Sequence, residues 1–216
     1  MTIIANWKSH KNFDQVREFF DKFAPFMFEQ KPEHEVIIAP SSPFLKYSSD
    51  FVHANDLKVE IAAQNISQNT EGAFTGEVAA SQLKNISKFV IIGHSERRRF
   101  YGETEEVVDK KVQLAKKEEL KVILCLQNEN EKTADVEYIA YEPPNSIGTG
   151  NPDDPTHIEE VFKKIKEKNN KAKLLYGGSI NEKNISTFTK IPHLEGFLVG
   201  GASLEADSFT SLIAKC

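Results

Sequence analysis

Several short stretches of this chain carry side chains suited to proton or anion chemistry, and each directly follows an apolar run. Asn6-Trp7-Lys8 follows Thr2–Ala5. If extended geometry persists, Asn6 and Lys8 face the same way. A lysine at such a strand mouth either holds a phosphate or a developing oxyanion, or is simply a solvated surface charge. Gly93-His94-Ser95-Glu96-Arg97-Arg98 follows Phe89–Ile92. His94 there is an acid, a base, a neutral hydrogen-bond donor or a structural histidine. The stretch is not a nucleophile elbow, because G-x-S-x-G needs glycine where Arg97 stands. The arginine run reads as a phosphate-backbone patch or, with Glu96 and Glu103 close in sequence, as internal ion pairs. Glu142-Pro143-Pro144 follows Val136–Tyr141. A carboxylate ending an apolar strand is costly unless paired or used. Glu142 is therefore a candidate general base, the more so if burial raises its pKa.

The segment after Glu142 runs through Asn145-Ser146-Ile147 to Gly148-Thr149-Gly150. Prolines at one end and glycines at the other suit a hinged lid or a plain connecting loop. Asp153 stands where a dinucleotide fingerprint would need its third glycine. Gly177-Gly178-Ser179 and Gly200-Gly201-Ala202 follow the last two apolar runs. Paired glycines let backbone N–H groups approach an anion. The six histidines and two cysteines show no metal-ligand spacing, so neither a metal nor another cofactor is expected.

These residues need a scaffold. The apolar runs Thr2–Ala5, Glu35–Ala39, Val59–Ala63, Phe89–Ile92, Val122–Leu126, Val136–Tyr141, Lys173–Tyr176 and Gly196–Val199 are continuous rather than alternating. That suits strands buried on both faces of a parallel sheet. Between them lie helical patterns. Phe13, Val16, Phe19, Phe20, Phe23, Ala24 and Met27 share one stripe; Thr104 caps a segment with Val108, Val112 and Ala115; Asp154-Pro155 starts another with Ile158, Val161, Phe162 and Ile165. Eight such units predict a single (β/α)8 barrel domain over residues 1–216, with its active site at the C-terminal ends of the strands. Phosphate sites recur after strands seven and eight of that fold.

Composition narrows the class further. The 216 residues are 39% apolar and 27% charged, with net charge −5 and both signs interspersed. That is not the basic balance of a nucleic-acid binder. Cys125, inside an apolar run, and Cys216, at the chain end, make no disulfide framework, which fits a reducing cytoplasm. No signal-peptide pattern and no run of ~18 apolar residues is present, so neither secretion nor a membrane span is expected.

Several motifs, in order, resemble one family. Asn6-Trp7-Lys8, Gln64-Asn65, Gly72-Ala73-Phe74-Thr75-Gly76-Glu77, the stretch from Gly93 to Arg98, Ala140-Tyr141-Glu142-Pro143, Ile147-Gly148-Thr149-Gly150, Tyr176-Gly177-Gly178-Ser179 and the stretch from Gly196 to Leu204 look like the signature segments of the triosephosphate isomerases. They reach from residue 6 to residue 204. The resemblance implies a TIM barrel that interconverts dihydroxyacetone phosphate and glyceraldehyde 3-phosphate without a cofactor. It implies Glu142 as the base, neutral His94 and Lys8 as stabilisers of the enediolate, Asn6 as an orienting group, and Glu96 as the acid set against Lys8. The pairing of carboxylate and neutral imidazole belongs to the family and is carried over with the resemblance. Backbone at Gly148, Ser179, Gly200 and Gly201 would grip the phosphate. Ile147 and Leu198 match the apolar pair that covers the base. The loop from Gln64 to Glu77 resembles the family's interdigitating loop, with Thr75 at its tip, and implies a homodimer. Rival readings are another phosphate-binding barrel enzyme, such as an aldolase or a synthase, or a silent scaffold. The first lacks a lysine at the end of strand six, and the second would be favoured by loss of Lys8, His94 or Glu142.

Two departures from the family pattern stand out. The lid begins Pro143-Pro144-Asn145-Ser146 rather than Pro-Val-Trp-Ala, as in short archaeal relatives; the second proline fixes another φ and stiffens the hinge. Only residues 127–135 join strands five and six, where the family usually carries a full helix. Ala134 is their one hydrophobic residue, so an extended loop with at most one helical turn is predicted. The outer face of those strands then needs another cover. Two are possible: the flanking helices leaning together, which the charged loop favours, or a second dimer making a tetramer.

Overall fold

An apolar strand without polar alternation is stable only where both faces are covered, and closing the sheet into a ring walled by helices provides that. The computed structural model describes residues 1–216 and shows such a ring. Its eight parallel strands are β1 (Thr2–Asn6), β2 (Glu35–Ala39), β3 (Val59–Ala63), β4 (Phe89–Ile92), β5 (Lys121–Leu126), β6 (Tyr138–Tyr141), β7 (Lys173–Tyr176) and β8 (Leu194–Val199). They pair in sequence order, and β8 closes on β1 with Thr2 opposite Gly196. The close approach there requires glycine, since a Cβ on Gly196 would lie 1.9 Å from the Thr2 carbonyl oxygen. Strand bounds differ slightly from the sequence reading. Val136 is buried but precedes β6, and β8 begins two residues before Gly196.

Alternate residues of each strand serve two cores. Ile4, Ile37, Phe89, Ile91, Ile123 and Leu175 fill the barrel interior. Their neighbours join a much larger layer between the barrel and its helices. Helix α1 (Phe13–Gln30) buries Val16, Phe19, Phe20, Phe23, Ala24 and Met27, while Phe13 is half exposed. Asn12 and Gln15 exchange side-chain bonds with each other's backbone N–H at its start, which satisfies two orphan donors. Helix α2 (Leu45–Ala54) follows β2, and α3 (Ser95–Tyr101) and α4 (Glu105–Lys117) follow β4. Thr104 caps α4, and Asp154 caps α5 (Pro155–Lys168). The one-turn α6 (Ile185–Phe188) precedes β8, and α7 (Ala206–Ile213) ends the fold. The connection from β3 to β4 has only the 3-10 turn Ala80–Leu83, a second reduced crossover that the sequence reading did not anticipate.

Residues 127–135 form no helix. The flanking helices α4 and α5 share one core layer with the outward residues of β5 and β6, and the loop links those two helices across the gap. Glu129 accepts from Lys164 at 2.9 Å and, through its carbonyl, from Lys168 at 2.6 Å, both on α5. Lys132 pairs with Asp109, and Lys116 reaches the Asp135 carbonyl at 3.0 Å, both from α4. Beneath this polar bridge the outward Val122, Leu124, Leu126 and Ile139 are at most 2% exposed. One chain therefore buries this face without a second dimer.

Candidate active site

The side chains singled out for chemistry converge at the C-terminal mouth of the barrel, in a cavity of about 250 Å3. Asn6 and Lys8 both line it, but not by continued extension as the tripeptide suggested. β1 stops at Asn6, and Lys8 takes a left-handed φ of 52°, with its N–H donating to Asn6 Oδ1 at 3.1 Å. Gln64 at the mouth of β3 fixes this turn by donating to the Lys8 carbonyl at 2.9 Å and the Ala39 carbonyl at 2.8 Å. Lys8 Nζ meets Glu96 Oε1 at 2.6 Å. The lysine stem passes Gly200, where a Cβ would lie 3.2 Å from Lys8 Cε.

His94 ends the turn after β4 and caps α3. Its Nδ1 accepts the Glu96 backbone N–H at 3.2 Å, so that nitrogen is unprotonated and the neutral ring carries its proton on Nε2. Nε2 lies 2.9 Å from Glu142 Oε1, and the other carboxylate oxygen accepts the Ser95 N–H at 3.0 Å. Burial alone would push the Glu142 pKa up, as the sequence reading supposed. Here His94, the Ser95 N–H and the Cys125 thiol outweigh it, and the carboxyl is held below its ordinary value. Burial pushes the His94 imidazole down, yet the adjacent Glu142 carboxylate, helped by Glu96, outweighs it and raises its pKa. When Glu142 leaves or takes up a proton, burial, the largest influence, and Lys8 favour the neutral ring against Glu96. Gly177 makes room for the base, since a Cβ there would lie 2.9 Å from Glu142 Cγ.

The segment read as a lid or a plain connecting loop, residues 143–153, follows Glu142. Pro144–Ser146 forms a 3-10 turn directly after the base. Ser179, itself at a φ of 48°, accepts the Gly150 N–H at 3.2 Å and donates to the Ser146 carbonyl, so one hydroxyl bridges both halves of the lid. Ile147 and Gly148 line the cavity from the lid, and Leu198, Gly200 and Gly201 line it from β8 and beyond. Of the residues read as the site, Glu96 and Thr75 do not face the cavity. Glu96 stands behind Lys8, and Thr75 lies exposed on the loop after β3. The arginine run resolves into ion pairs, Arg97 with Glu103 and Arg98 with Glu131.

Sequence reasoning gave no role to Gln64, Cys125, Asn181 or the hydroxyls of Tyr141 and Tyr176. Gln64 was findable, because it follows β3 as Glu142 follows β6. Nothing in the sequence marks Asn181, which lines the cavity from beyond the first glycine pair.

A family model described as Triosephosphate isomerase matches residues 1–138 and 129–216, two stretches that overlap at the short β5–β6 connection. The triosephosphate isomerase of Mesomycoplasma hyorhinis is 37% identical over an alignment 236 positions long, covering 98% of this chain and 96% of that protein. That of Picosynechococcus sp. is 35% identical, covering 98% and 97%. That of Aquifex aeolicus is 32% identical, covering 98% and 97%.

Proposed function

Since this chain belongs to the triosephosphate isomerase family, we propose that it interconverts dihydroxyacetone phosphate and D-glyceraldehyde 3-phosphate through an enediolate, with Glu142 as the base. Glu142 takes a proton from one carbon and returns it to the next, while charge builds on the oxygens between them. The neutral His94 Nε2–H donates to those oxygens, and the Lys8 ammonium offsets their charge. Asn6 orients Lys8 through its backbone, and Glu96 holds the ammonium at the cavity edge. Proton transfer of this kind needs no metal or redox cofactor. Backbone at Gly148, Ser179, Gly200 and Gly201 grips the phosphate, and Ile147 and Leu198 exclude water from the base, so that remote binding energy serves the reacting carbons. The Pro143-Pro144 start makes this lid hinge the short archaeal type.

The observation that carries this reading is the pairing of Glu142 with His94 at 2.9 Å, inside the cavity that Lys8 also lines. The test is a coupled assay on D-glyceraldehyde 3-phosphate with a chelator present. Purified chain that forms no dihydroxyacetone phosphate would sink the proposal.

The working form is a cytoplasmic homodimer. Exposure of the loop carrying Thr75 supports it, as does the exposed aromatic surface at Phe74, Phe100 and Tyr101. The self-covered β5–β6 face argues for the dimer over a tetramer. No helix of the fold is long and apolar enough to cross a membrane.

A further inference from the structure

The trailing end of the lid is tied down by a carboxylate that the proposed reaction does not use. Asp153 touches three separate elements. Its N–H donates to the Tyr176 hydroxyl of β7 at 2.7 Å. Its Oδ2 accepts from the Tyr141 hydroxyl of β6 at 3.2 Å and lies 2.8 Å from His157 Nδ1 on α5. Its Oδ1 accepts the N–H of Asp154, the residue that caps α5. The two tyrosine rings pack together, with centroids 6.2 Å apart, and Tyr141 is bonded in the chain to Glu142.

We infer that Asp153 is a positioning residue for the lid, its carboxylate joining the trailing hinge to Tyr141 and so linking the lid's seating to the strand end that carries the base. The chemistry of the contacts supports this. A hydrogen bond to a carboxylate is stronger than one between neutral groups, and the Asp153 side chain is only 20% exposed, which limits competition from water. The other end of the lid is already held, by the proline pair and by the Ser179 bridge to Ser146. The trailing end carries Pro152 and the Gly150 N–H bond to Ser179, and Asp153 is the residue there whose side chain reaches β6 and α5. A lid loosened there would hold the phosphate less well and admit water. The enediolate could then use its electron pair to expel phosphate, breaking the carbon–oxygen bond, rather than accept a proton back on carbon.

This inference rests on the isomerase reading, and its test separates the two. Asp153→Ala, Tyr141→Phe and the double variant are compared with wild type. Three quantities are measured: backbone hydrogen exchange over residues 143–153, the steady-state constants for D-glyceraldehyde 3-phosphate, and inorganic phosphate released per isomerisation. Tyr141→Phe removes one oxygen and keeps the ring packing, so it covers the case in which Asp153→Ala folds poorly. Each single variant should speed lid exchange about tenfold while β1–β8 amides keep their protection, and should raise both KM and the released phosphate fraction. The double variant should add little, because one contact is removed twice. Unchanged lid exchange, additive effects, or a fall in kcat alone with KM and phosphate release unmoved would each overturn the inference. Faster lid exchange in a chain that isomerises nothing would uphold the hinge contact and refute the function.

Discussion

Replacing Glu142 by Gln changes one oxygen to an NH2 group and removes one charge at almost constant volume, so its two consequences can be worked out separately. For catalysis, removing a positioned general base costs about 10²–10⁴-fold in rate, or roughly 2.7–5.5 kcal/mol of barrier at ~1.36 kcal/mol per decade. For stability, the carboxylate receives both His94 Nε2–H and Ser95 N–H in a fully buried setting. An amide offers one acceptor oxygen, and its NH2 must then face the other donor. His94 cannot relieve this by moving its proton to Nδ1, because Nδ1 already accepts the Glu96 N–H. One buried donor is left unpaired, at about 1–3 kcal/mol, and a domain of this size loses roughly 2–4 °C of Tm per kcal/mol. The Gln variant should therefore fold, melt about 2–12 °C lower, and lose at least about a hundredfold in kcat. Acid sensitivity should change as well. A carboxyl held below its ordinary pKa contributes stability above that ordinary value and loses it as pH falls through the lower folded value; Gln has no such loss. Coupled kinetics and calorimetry on the same preparation test the argument. A variant keeping more than a tenth of wild-type kcat refutes the role of base, and an unchanged Tm refutes the donor count.

Lys8→Met should raise KM and lower kcat together, because the charge serves bound substrate and transition state alike; an unchanged KM counts against a phosphate contact. Thr75→Arg should dissociate the dimer and cut activity, to be followed by sedimentation, and a fully active wild-type monomer would end that idea. In the Glu142→Gln variant no carboxylate at that position offsets burial, so ring NMR should show His94 titrating below its ordinary value, whereas in wild type it titrates above it. If the two titrate alike, Glu142 is not what raises it. Gly196→Ala pushes a Cβ onto the Thr2 backbone rather than a movable side chain. It should cost at least about 3 kcal/mol, the upper part of the overpacking range, and chemical denaturation showing less than about 1 kcal/mol would mean that β1 and β8 part easily.

The strands were legible because burial on both faces leaves continuous apolar runs, and the site was legible because each run ends in residues that no core would choose. Asn6, Lys8, His94 and Glu142 were found by that rule and do converge. What the rule could not supply was backbone conformation. The expectation that Asn6 and Lys8 share a strand face assumed extension through Trp7. The left-handed Lys8 turn, held by Gln64 from 56 residues away, is a tertiary property. The pKa of Glu142 failed for a related reason. Burial was foreseeable from the apolar run, but the opposing His94 ring, Ser95 N–H and Cys125 thiol come from other parts of the barrel. Both glycine pairs read as anion cradles, and beside that role Gly177 makes room for Glu142 and Gly200 for Lys8. A missing side chain records that space is needed without recording for what.

The helix-free β5–β6 connection leaves the site intact. Every reacting side chain stands at a strand mouth or in the turn after it, so the outer helices act on chemistry only by keeping strands covered and in place. Exposed pairs such as Lys132 with Asp109 contribute little each, about 0–1 kcal/mol, and their service here is to hold the loop against α4 and α5. One pair is different. Arg98 and Glu131 are both nearly buried, and Arg98 also donates through Nε to the Gly93 carbonyl at 2.9 Å, at the turn that presents His94. Glu131 in turn accepts the Gln127 N–H at 3.0 Å and so closes the loop on itself. The loop thus reaches the β4 turn through a buried charge, besides the bonds that tie it to α4 and α5.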